Sequence, residues 1–175
     1  MVCWVFCISA LSSANTPKSL HRMKTAERIL IGIFILGIVL KMDSILGGAI
    51  LTALSSTGLM GFYMFFGFAF FNNIPLKNVF SSSAYVDTAL LQIIEAILIG
   101  LFLVIIVGGL LFYALHWPGV RVMLTFGAVS CVITTIYTLS RRFFSSHRLY
   151  TNILLRLVPL CIIYACIIGY LISKG

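Results

Sequence analysis

The sequence predicts an all-α polytopic membrane protein, a bundle of five transmembrane helices laid out as two related hairpins followed by a C-terminal helix. Three observations carry that expectation. The chain is 61% hydrophobic and 9% charged, with a mean hydropathy of +1.14, whereas soluble domains are roughly half apolar and a quarter charged. Its apolar runs approach the ~20 residues that a helix needs to cross ~30 Å of hydrocarbon. Its cations sit in small groups between those runs, as they do in membrane proteins oriented by charge.

Residues 1–22 stand apart as an N-terminal segment. Their apolar run of about a dozen residues is too short to span. It suits a signal-peptide core ending at Ser12, Ser13 and Ala14, although no basic residue precedes it. The alternative, which the sequence favours, is a start at Met23, directly ahead of a spanning segment. The first hairpin is expected over 23–71. Its first span, 26–42, fits if Arg28 and Lys41 snorkel to opposite interfaces. The second span, 47–71, is uncharged and stops at Asn72-Asn73-Ile74-Pro75.

Residues 72–87, with Pro75, Lys77 and three consecutive serines at 81–83, read as a solvated cytoplasmic linker. The second hairpin follows over 88–140: a span interrupted by Glu95, the turn His116-Trp117-Pro118-Gly119, and a span ending near Leu139. A basic cytoplasmic loop, 141–149, carries Arg141, Arg142, His147 and Arg148. The fifth helix, 150–175, has Arg156 and Pro159 inside it.

Eight cations (Lys18, Arg22, Lys24, Arg28, Lys77, Arg141, Arg142, Arg148) fall on one side of this layout and three (Lys41, Arg121, Lys174) on the other. That asymmetry places the N-terminus in the cytoplasm. The net charge of +8 is thereby accounted for by orientation, and no nucleic-acid partner is expected. The lipid bilayer, another membrane protein or a second copy of the chain are the expected partners.

Four acidic residues, Glu27, Asp43, Asp87 and Glu95, are too few for calcium loops or a carboxylate metal centre. Cys3, Cys7, Cys131, Cys161 and Cys166 have neither a disulfide-framework pattern nor metal-ligand spacing. His21, His116 and His147 lie in three segments, with nothing placed to complete a nucleophilic or metal site. No enzyme activity, cofactor or metal is expected.

Two features stand out as candidate sites. The turn His116 to Gly119 explains itself structurally: Pro118 suits a helix start, Gly119 a tight reversal, and His116 and Trp117 the interface. The sharper feature is Glu95 and Arg156, charged residues inside spans that both start from the cytoplasmic side. At 1.5 Å per residue each lies roughly 10 Å along its helix. They are expected to form an intramembrane ion pair docking the fifth helix on the second hairpin, with Arg156 also serving the carbonyl of Leu155 that Pro159 leaves free. Gly47, Gly48, Gly58, Gly61, Gly67, Gly100, Gly108 and Gly109 are candidates for close helix contacts.

Sliding the chain on itself by 72 residues lays Gly37 on Gly109, Gly47 on Gly119, and Ser44 to Gly48 on His116 to Val120. An internal repeat of two parallel hairpins is expected. The residues from Val107 through His116-Trp117-Pro118-Gly119, followed by Met123-Leu124-Thr125-Phe126-Gly127, resemble the transmembrane hairpin of GldL, the motor subunit of gliding bacteria. They are more similar still to uncharacterised GldL-related inner-membrane proteins with a His-Trp-Pro-Gly turn. The resemblance implies a shared hairpin architecture, a bacterial inner membrane as the location, and an envelope-complex setting. It does not extend to the motor's membrane glutamate, because Ser130 and Cys131 stand at that place. The sequence thus favours a small scaffold or interaction subunit of an envelope complex. The alternative is a proton- or ion-coupled transporter component using Glu95 and Arg156.

Overall fold

The computed structural model describes residues 18–43, 45, 47–72, 74, 90–144 and 148–174. They form five helices and no strand: α1 (Lys18–Met42), α2 (Gly48–Phe71), α3 (Leu90–Leu115), α4 (Val120–Phe144) and α5 (Arg148–Lys174). Four of these, α2 to α5, are long and apolar enough to cross a membrane, against the five spans expected. The uncharged stretch of α1 covers only residues 29–40, and Lys24, Glu27, Arg28 and Lys41 flank it.

Several boundaries differ from the expected ones, all in one direction. Helix α1 begins at Lys18, inside the segment set apart as 1–22, of which 1–17 lie outside the described residues. Helix α4 continues through Arg141 and Arg142 to Phe144, and α5 starts at Arg148, so most of the supposed basic loop is helical. Of the linker, Asn72 and Ile74 are described; Ile74 is buried and donates its N–H to Ala69 O at 2.8 Å. A helix persists past the apolar run because its backbone bonds do not depend on lipid, and hydropathy marks only where the apolar part stops.

Consecutive helices are antiparallel. A Cβ built on Gly37 would lie 2.7 Å from Thr52 N, and one built on Gly48 2.5 Å from Lys41 N, which fixes the α1–α2 register. Between α2 and α3, Gly67 faces Gly100, whose Cβ would meet Tyr63 O at 2.8 Å. Absent side chains let the backbones approach, the packing that lipid-embedded helices rely on. Gly61 and Gly47, by contrast, have open space around them. Thr52, Ser55 and Ser56 are buried on α2 and satisfy their hydroxyls on carbonyls three or four residues back. Tyr164 of α5 reaches the α3–α4 seam beside Gly109 and Gly127 and donates to Ile106 O at 2.6 Å.

The two interhelix turns use the same bonds at an offset of 72 residues. Ile45 N to Leu40 O matches Trp117 N to Phe112 O, Gly48 N to Ile45 O matches Val120 N to Trp117 O, and Leu51 N to Gly47 O matches Met123 N to Gly119 O. Gly47 and Gly119 both have positive φ, 100° and 86°. In the second turn His116 is left-handed at φ 53° and donates to Tyr113 O, completing a Schellman closure of α3. Trp117 packs edge-on against Phe112 with centroids 5.2 Å apart, the apolar contact that accompanies this motif. The ammonium of Lys41 donates to Ala114 O, a carbonyl that the closure leaves unused, and so places a cation at the negative end of α3.

Two stability outcomes follow from this packing. Gly100→Ala is expected to cost about 1–3 kcal/mol in detergent-solubilised thermal unfolding, since Tyr63 O cannot retreat, while Gly61→Ala is near neutral or better. His116→Gly is expected to add about 1 kcal/mol by removing a side chain from the left-handed region.

Candidate functional site: two buried ion-pair clusters

The helices α1, α3 and α5 run in one direction, so their N-terminal parts and the C-terminal parts of α2 and α4 gather at one end of the bundle. Both buried carboxylates, Glu27 and Glu95, lie there. Among the described residues the expected Glu95–Arg156 pair does not form; each residue has another partner.

Arg156 pairs with Glu27. Its Nε donates to Oε1 at 2.8 Å and its Nη2 to Oε2 at 3.0 Å, a bidentate arrangement matched to the planar fork of the guanidinium. Tyr63 of α2 donates to the same Oε1 at 2.7 Å. The guanidinium lies over the ring of Phe70, 4.6 Å from its centroid, and 5.9 Å from that of Phe71. A desolvated cation over an aromatic face gains about 2 kcal/mol. Glu27 is 4% exposed, so its charge is balanced entirely inside the protein. The third guanidinium nitrogen donates to Asn152 O at 2.6 Å rather than to Leu155 O. Helical side chains point back toward the N-terminus, which brings Arg156 over the carbonyl four residues behind it.

Glu95 pairs with Arg141. Its Oε1 lies 2.6 Å from Arg141 Nη2, and its Oε2 accepts from Tyr150 OH at 2.6 Å. The Arg141 guanidinium also lies 5.8 Å from the centroid of the Tyr150 ring. Glu95 is buried, whereas a third of the Arg141 side chain is exposed. Glu95 further lines a cleft of about 120 Å³ between α3 and α4, together with Leu98, Phe102, Ile133, Thr134 and Tyr137.

Equal depth was a sound constraint but said nothing of direction around the helix axis. Tyr150 faces Glu95, and Arg156 is six residues further along α5, which at about 100° per residue turns it roughly 120° away. It therefore points to α1 and α2. Sequence reasoning missed Glu27 and Arg141 because each was placed at a span border, and both helices run on past those borders. A signal was present: each of the two arginines shares a level with one of the two carboxylates once the helices are lengthened.

Other sequence candidates have plainer roles. His116, Trp117, Pro118 and Gly119 are exposed and form the α3–α4 turn. Among the described residues no group of three or more His, Cys, Asp or Glu could hold a metal ion. Lys24, just outside the apolar stretch of α1, has its ammonium pushed below the usual lysine range by partial burial, then by Arg156 and Arg28, with Glu27 opposing.

The arrangement predicts the outcome of double-mutant cycles. Glu27→Leu or Arg156→Leu alone is expected to cost ~3–5 kcal/mol, and the two together far less than their sum. Arg141→Leu is expected to be milder than Arg156→Leu, because Arg141 meets its carboxylate through one nitrogen where Arg156 uses two and also serves Asn152 O. The cross pair Glu95→Leu with Arg156→Leu should be additive in the same unfolding assay; strong coupling there would contradict the partners assigned above.

Comparison with family models, with characterised proteins and with solved structures finds no match.

Proposed function

We propose that the protein is a five-span integral membrane subunit that serves as a scaffold or interaction partner within an envelope complex, with the start of α1 on the cytoplasmic side of a bacterial inner membrane. The single observation that carries this reading is that both carboxylates within the bundle are saturated. Each is met by an arginine and a tyrosine from other helices, so both carboxylates are committed to contacts between helices. Such clusters fix helices relative to one another, which is what an assembly subunit requires of them.

Helix α1 is included as a span because it matches the others in length and packs along α2 from Leu30–Gly58 to Lys41–Gly48. Its one buried acid is neutralised inside the bundle, and Lys41 is engaged at the far end by Ala114 O. The orientation rests on the cluster end carrying Arg22, Lys24, Arg28, Arg141 and Arg142, against Lys41 and Arg121 at the turn end. The resemblance of the second hairpin to gliding-motor subunits supports an envelope setting.

A second reading, a proton- or ion-coupled component, is favoured by one observation only: Glu95 borders a cleft and its partner Arg141 is partly exposed. With Arg156 committed to Glu27, this reading rests on Glu95 and Arg141. The two readings separate in proteoliposomes and in pull-downs. The scaffold reading expects no difference in proton or cation flux between the wild type and Glu95→Gln, and a stable companion retained through gentle solubilisation. Flux abolished by Glu95→Gln would transfer the assignment to transport.

A further inference from the structure

The cleft between α3 and α4 has a direction. Its walls include Leu98 and Ile133, each about half exposed on the outer surface of the bundle, and Phe102 behind them. On α4 the lining residues Ile133, Thr134 and Tyr137 lie along one helix face, and that same face continues one turn later to Arg141. An apolar groove open toward lipid therefore leads, at the cluster end, to a guanidinium.

That guanidinium is reachable from outside: Glu95 engages Nη2, and a third of the side chain is exposed. Arg142, the next residue, is exposed and donates to Thr151 Oγ1, so two guanidiniums stand near a single buried carboxylate. The local excess of positive charge lies at the level where headgroups meet the hydrocarbon.

We propose that this groove is a binding site for one anionic phospholipid, with an acyl chain lying between α3 and α4 and the headgroup phosphate on Arg141 and Arg142. Basic pockets between transmembrane helices recognise anionic headgroups by this combination of charge and groove. Glu95 and Tyr150 act as positioning residues, holding Arg141 at the mouth of the groove. The site depends on insertion of the bundle in a bilayer and is independent of any protein partner, so it stands or falls separately from the scaffold reading.

The test is native mass spectrometry of the full chain extracted from vesicles of phosphatidylcholine and phosphatidylglycerol in equal parts. One phosphatidylglycerol per chain should be retained, enriched about fivefold or more over phosphatidylcholine, the discrimination expected of a cation near the headgroup layer. Ile133→Trp, which fills the groove and leaves the ion pair intact, and Arg142→Gln, which leaves the groove intact, should each lower retention about fivefold. Leu155→Trp, on an exposed face of α5, serves as the control and should change nothing. Thermal unfolding of each variant verifies that it is folded. Equal retention of the two lipids, unchanged retention in both Ile133→Trp and Arg142→Gln, or displacement of the lipid by glycerol 3-phosphate alone would overturn the proposal.

Discussion

A charge placed in hydrocarbon must find its opposite inside the protein, and this requirement organises the bundle. Two clusters meet it. Glu27, Tyr63 and Arg156 join α1, α2 and α5; Glu95, Arg141 and Tyr150 join α3, α4 and α5. Helix α5 belongs to both, so one helix contributes to tying all five together at one end. The clusters differ in degree: Arg156 lies over Phe70 and holds its carboxylate with two hydrogen bonds, whereas Arg141 meets Glu95 through Nη2 and a third of its side chain is exposed.

The opposite end is held by backbone chemistry. Both hairpin turns close with the same bonds at the same offset, and Lys41 links the end of the first hairpin to the last turn of α3. Between the two ends, lipid offers no hydrophobic driving force for helix association, so contact depends on close approach at Gly37, Gly67 and Gly100. Tyr164 adds a hydrogen bond in mid-bundle, where an unpaired hydroxyl would be costly. Stability is thus concentrated at a few residues, which makes single substitutions at them informative.

Most of the architecture was legible in the sequence because apolar run length and turn chemistry are local properties. Helices α2 to α5 and the His116 to Gly119 turn could be placed from them, and the 72-residue offset relates three backbone hydrogen bonds and a positive-φ glycine of the two turns. Helix ends were less legible. Hydropathy stops at Arg28 and Arg141 although the helices do not, and the residues that decide the pairing lie in those extensions.

By itself the sequence determined that charges would be scarce, and that Glu95 and Arg156 would lie at a common level and each require a partner. The tertiary structure alone decided who pairs with whom, since partner choice depends on the azimuth of each side chain and on which helices lie adjacent. Depth is additive along a chain at a fixed rise per residue and can be counted. Direction around an axis is set by packing between segments distant in sequence, and no count along the chain supplies it.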